Sequence, residues 1–131
     1  MPFVYGYYGS WRKEQGRIEM SEKAKVDTVR LQSMARAFVS SASLFAAIDL
    51  GLFTAVANGA STPKAFATRA CISELNADRL MTMCSANGLL EWRDGGYINA
   101  SDVQRYLVEG EQRYAGAWLT FMRPGFERCP D

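Results

Sequence analysis

The sequence predicts a mainly helical domain of winged-helix type. A long N-terminal helix leads into a helix–turn–helix and a β-hairpin wing, and a helical extension closes the chain. Three observations predict it. Apolar residues recur at helical spacing from Leu31 to Phe45. STPKAFATRA and NADRLMTMCSANG carry helix start and stop signals one after the other. LLEWRDGGYINA then supplies two short β-prone runs around an Asp-Gly turn.

The first helix is predicted from Ser21 onward. At about 100° per residue, Leu31, Met34, Ala35, Phe38, Ala42 and Phe45 share one narrow stripe. Ser40, Ser41 and Ser43 dilute the helix and can bend it, and Gly51 stops it. Asp49 continues the stripe one turn beyond Phe45, in the last turn, where the helix dipole disfavours a negative charge. It therefore needs donors. Either it caps the next helix or it pairs with a nearby arginine, and so fixes the bend at Gly51. A short second helix follows from Leu52 to Ala57 and closes at Asn58-Gly59.

Ser61 or Thr62 caps the third helix, Pro63 suits its first position, and Phe66 and Ala70 face inward. After a turn at CISE, Asn76 is the expected N-cap of the fourth helix, with Leu75 stapled on Leu80. That helix ends at SANGL, with Gly88 left-handed and Leu89 folding back towards Cys84. In the hairpin, Asp94-Gly95-Gly96 forms the turn and Trp92 packs across it on Tyr97. Ser101 and Gln104 form a capping box for a short helix to Val108, and a last helix over 111–122 stops at Arg123-Pro124-Gly125.

Composition narrows the function. With 131 residues the chain fits one compact domain and is short for a self-contained cofactor enzyme. Hydrophobic residues make up 48% and the net charge is +1, which argues for a globular protein rather than a disordered or polyanion-binding one. The absence of histidine removes the commonest general base and metal ligand. Cys71, Cys84 and Cys129 stand far apart, which argues against a zinc site or disulfide framework and for a reducing, cytoplasmic setting. Cys71 and Cys84 read as small buried groups and Cys129 as exposed. No stretch reaches the about 18 apolar residues of a membrane span, and the N-terminus lacks the order of a signal peptide. Residues 1–20 form an extension with Phe3, Tyr5, Tyr7, Tyr8 and Trp11. They are either an arm for a partner or ligand, or a segment upstream of a start at Met20.

A winged helix raises the possibility of a DNA-binding regulator. A recognition helix needs polar and cationic residues at its exposed positions. ADRLMTMCSA offers Arg79 but Met81, Met83 and Cys84 elsewhere, and the wing carries Glu91, Arg93 and Asp94. A methionine-rich face packs into something instead, so no nucleic-acid partner is expected.

Five segments in order, AAIDLGLFTAV, STPKAFATRA, NADRLMTMCSANGLLEW, GGYINASDVQRYLV and YAGAWLTFMRPG, resemble the N-terminal dimerisation domain of class I S-adenosylmethionine-dependent small-molecule O-methyltransferases. The resemblance covers about residues 24–125. It implies an intertwined homodimer, or a dimer with a catalytic chain, in which the domain over 21–122 also lids a substrate pocket. By resemblance, Leu31, Met34, Trp118, Phe121 and Met122 wall that pocket for a small hydrophobic or aromatic methyl acceptor. Ordinary core or interface packing is the competing reading of these five. The resemblance places S-adenosylmethionine in a separate catalytic domain, joined through a linker that begins over 123–131. This chain departs from the family there: it has neither the acidic-x-G-x-G-x-G loop nor a histidine base, so it reads as catalytically silent alone. It is then either one part of a longer protein or a separate interaction subunit.

Overall fold

The computed structural model describes residues 26–123. The N-terminal extension, the first five residues of the expected first helix, Pro124-Gly125 and Cys129 lie outside the described residues. Two compact units are present, one ending at Arg36 and one beginning at Ala37.

In the first unit the helix α1 (Val29–Asp49) begins at Val29. The helix does not run unbroken from Ser21 as expected, because residues 26–28 are not helical. Asp27 decides this. Its Oδ1 accepts the Val29 amide at 3.0 Å, a local bond that competes with helix and marks a start. Thr28 and Gln32 then bond one turn apart at 2.6 Å, and Gln32 accepts from Arg36 at 3.4 Å. Every residue over 26–36 is exposed.

The second unit holds the core. The C-terminal part of α1 enters it through Ser43 and Ala47, which fall on the side of the helix roughly opposite Phe38. Small residues let this backbone approach its neighbours. Ser43 satisfies its hydroxyl by donating to the Val39 carbonyl at 2.8 Å. Gly51, at φ 67, turns the chain into α2 (Leu52–Ala57), where Leu52, Phe53, Ala55 and Val56 are buried. Helix α3 (Pro63–Ala70) is capped by Thr62, whose side chain accepts the Ala65 amide at 3.3 Å. Cys71 then adopts the left-handed conformation and is exposed, not buried as expected, because it is the residue on which the chain leaves the helix.

Helix α4 (Glu74–Ala86) is capped by Ser73, not Asn76; the Asn76 amide donates to the Ser73 hydroxyl at 3.2 Å. The cap thus lies three residues earlier, and Leu75 is inside the helix at 58% exposure rather than stapled on Leu80. Ile72, now the residue before the cap, packs against the core instead. The helix ends as its sequence foretells: Gly88 has φ 73 and the Leu89 amide donates to the Cys84 carbonyl at 2.8 Å.

Strands β1 (Leu90–Arg93) and β2 (Gly96–Asn99) pair antiparallel with Trp92 opposite Tyr97. Their rings meet edge-on at 4.9 Å. Asp94 (φ 49) and Gly95 (φ 81) alone make the turn, a type I′ geometry that matches strand twist. Gly96 has a different reason: a Cβ there would lie 2.8 Å from the Ser61 hydroxyl, and the adjacent Tyr97 amide donates to the Ser61 carbonyl at 2.8 Å. Helix α5 (Ser101–Tyr106) has Ala100 as its N-cap and no side-chain cap. The expected Ser101–Gln104 box is absent because Gln104 accepts from the Asn99 side chain, at 3.0 Å. The same Asn99 amide group reaches the Phe53 carbonyl at 2.9 Å and ties the wing to α2. The helix stops at Tyr106, before Val108.

Phe53, Phe66, Leu52, Met81, Leu90 and Cys84 are the largest fully buried side chains, and each large one contributes about 1.5–3 kcal/mol of burial. α1 is also long and apolar enough to cross a membrane, by length and composition alone. The expectation that no stretch reaches that limit is corrected accordingly. Four serines and two arginines left the run looking too polar.

Candidate ligand and partner surface

The last helix, α6 (Gly116–Phe121), is shorter than the expected 111–122. The glycine at 110 (φ 93) breaks the preceding segment, and residues 111–115 run as turns. α6 is pinned at its start by the Ala115 amide, which donates to the Tyr106 carbonyl at 2.7 Å. The Tyr114 side chain lies where a Cβ on residue 116 would have to stand, so any larger residue there displaces that ring. Burial, with Glu109 nearby, pushes the Tyr114 phenol up from its ordinary range.

α6 turns Leu119 towards the core and leaves Trp118 (65%), Phe121 (88%) and Met122 (51%) exposed. Trp118 and Leu119 form one wall of a groove of about 430 Å³, closed by Leu44, Leu89, Val103, Tyr106, Leu107 and Ala115. Asp102 is the one charged residue of its lining, and its Oδ1 already accepts the Val103 amide at 2.8 Å. Such a lining can hold apolar surface; it offers no group poised for proton transfer or nucleophilic attack. Cys84 does not serve as a nucleophile either, since burial pushes its thiol up to about 12.

Of the five residues assigned to an acceptor pocket, Trp118 lines this groove, while Phe121 and Met122 stand outside its lining. Leu31 (57%) and Met34 (66%) are exposed on the first unit's part of α1. Leu44, Leu89, Tyr106 and Leu107 line the groove without having been singled out in sequence. Leu44 lies off the apolar stripe, and the other three come together only when α5 folds against the start of the hairpin.

Phe38 of the stripe is equally uncovered, at 71% exposure. Only Phe45, at its end, is half-buried. There the Arg123 guanidinium lies 5.0 Å from the ring centroid. Arg123 also binds Asp49 at 2.6 Å. Of the two expectations for Asp49, the arginine pair is therefore the one formed. Helix α2 takes Gly51 as its N-cap with no side-chain bond.

Residues 32–110 match the family model for the O-methyltransferase dimerisation domain. The chain belongs to that family. This dimerisation domain is 36% identical over 105 residues to the 3-hydroxy-5-methyl-1-naphthoate 3-O-methyltransferase of Streptomyces sahachiroi, covering 77% of this chain and 30% of that protein. It is 34% identical to the rat acetylserotonin O-methyltransferase over 93 residues, 70% of this chain and 22% of that one. The structure of human N-acetylserotonin methyltransferase in complex with SAM superposes with a TM-score of 0.66 at 28% identity, over 75% of this chain and 30% of that one. The chain thus spans less than a third of the length of the curated relatives it matches. The five quoted segments pointed to the right family.

Proposed function

We propose that this domain pairs two methyltransferase subunits and lids the acceptor pocket of the assembled enzyme. The observation that carries the proposal is the exposure of the apolar residues Leu31, Met34 and Phe38 on α1. A soluble domain that leaves its most apolar helix face uncovered needs a partner for it, and membership of a dimerisation family supplies one. In this reading the partner is a second copy or a catalytic chain, and the two first helices interlock.

The winged-helix arrangement of α3, α4 and the hairpin serves pairing here and not DNA. The α4 face offers Met81 and Cys84 to the core, and Glu91 neutralises Arg93 at 2.8 Å on the wing. A membrane role for α1 is disfavoured because Leu44, Ala47 and Ile48 pack on the core, which leaves too little free helix for the about 20 residues of a span. A cytoplasmic location follows from the same reading.

Leu31, Met34, Trp118, Phe121 and Met122 would wall the pocket with apolar and aromatic surface, suited to a small hydrophobic acceptor. The curated relatives are named for a hydroxynaphthoate and for acetylserotonin, both aromatic. The residues present do not fit S-adenosylmethionine. Among the described residues the left-handed glycines 51, 59, 88, 95 and 110 end helices or turn the hairpin, and none stands between a strand and a following helix. The domain therefore supplies surface and geometry, and the transfer chemistry belongs to a partner domain that holds the cofactor. Light scattering coupled to size exclusion tests the pairing: a mass of twice the chain supports it, and a monomer at tens of micromolar overturns it.

A further inference from the structure

Helix α6 is six residues long, far below the about 12–15 at which a helix holds itself in water. Gly116 is its one buried residue. Apart from Leu119, which packs against the core, its position therefore depends on what grips its two ends. At the start the grip is the Ala115–Tyr106 backbone bond, with Tyr114 folded against Gly116. Beyond the end, the Arg123 side chain reaches α1, where it binds the Asp49 carboxylate at 2.6 Å and lies over Phe45. Arg123 is only 25% exposed there, so its charge is partly withdrawn from water and the contact is less screened than a free surface pair. The grip joins two elements 74 residues apart.

We infer that Asp49, acting through Arg123 with Phe45 as a platform, is a positioning residue that sets where α6 lies against α1 and thereby how Trp118 walls the apolar groove. The groove runs between Leu44 on α1 and Trp118 and Leu119 on α6, so the clasp spans the two elements that set its width. The consequence for a methyl acceptor rests on the lid reading proposed above; the clasp itself does not.

Hydrogen exchange on the 131-residue chain separates the two. The Leu119, Met122 and Arg123 amides donate to the carbonyls of Ala115, Leu119 and Thr120. In Asp49→Asn and in Arg123→Met these amides should exchange roughly three- to tenfold faster, with Ala55 and Leu89 unchanged. The double variant should show no further gain over either single one. The swapped pair, Asp49→Arg with Arg123→Asp, should restore slow exchange. Unchanged rates at 119–123, equal acceleration at Ala55 and Leu89, or no rescue by the swap would each overturn the inference. Light scattering on the same variants reports pairing independently: a dimer whose α6 amides do not respond refutes the clasp alone, and a monomer with responsive amides refutes the pairing alone.

Discussion

Asp49 and Arg123 meet at 2.6 Å and tie the end of the first helix to the end of the last described one. Asp49 lies on the apolar stripe in the final turn of α1, where the carbonyl end of the helix repels a carboxylate. Arg123 offsets that repulsion and covers Phe45 with the same side chain. An acid that looks misplaced in LFAAIDLGLF is thus half of a tertiary contact. Asp49→Asn should lower stability by about 0.5–1 kcal/mol in urea unfolding at low salt, since its side chain is half-exposed. The loss should shrink without vanishing at about 1 M salt, where the screening length falls to about 3 Å, comparable to the contact itself.

The proposed pairing should be broken from α1 without harm to the core. Phe38 and Met34 are uncovered, so Phe38→Asp or Met34→Asp removes no internal packing. Each should give a folded monomer in light scattering, with the helical circular dichroism of the parent. Retention of the dimer in both would show that pairing uses another face.

The cap of α4 distinguishes Ser73 from Asn76. Ser73→Ala should cost about 1 kcal/mol in denaturant unfolding, because it strips the Asn76 amide of its acceptor. Asn76→Ala should change stability by less than about 0.5 kcal/mol, since only its backbone takes part in the cap.

The two described thiols should separate by exposure. Cys71 is exposed and should react with an aromatic disulfide reagent at pH 8 in the folded state; Cys84 is buried and should react only on unfolding. Cys84 also links stability to pH. Its folded value is raised from the ordinary 9.0 to about 12, so the unfolded chain releases this proton first as pH rises. The Cys84 contribution is therefore undiminished below pH 9 and falls between pH 9 and about 12. A Cys84→Ala variant, compared with the parent across that window, should lack this part of the fall.

Much of the fold was legible because its signals are local. Thr62-Pro63, Gly88 and Asp94-Gly95 act through the backbone of their own neighbours, and each lies where its chemistry demands. The misread positions have more than one local answer. Ser73 and Asn76 are both good caps, and the choice fell to whichever register buries Ala77, Met81 and Cys84. Gln104 had a cap to make and bonded Asn99 instead, which the hairpin brings within reach.

By itself the sequence determined the order of helices and hairpin, because these follow from periodicity and turn chemistry along the chain, and its five ordered segments carried the resemblance to the family. Only the tertiary structure decided which side of α1 the core takes, which residues line the groove and where Asp49 finds its cation. Those depend on groups remote in sequence meeting in space. Ser43 and Ala47 win the core side by being small enough for close packing, and the larger Leu31, Met34 and Phe38 are left uncovered.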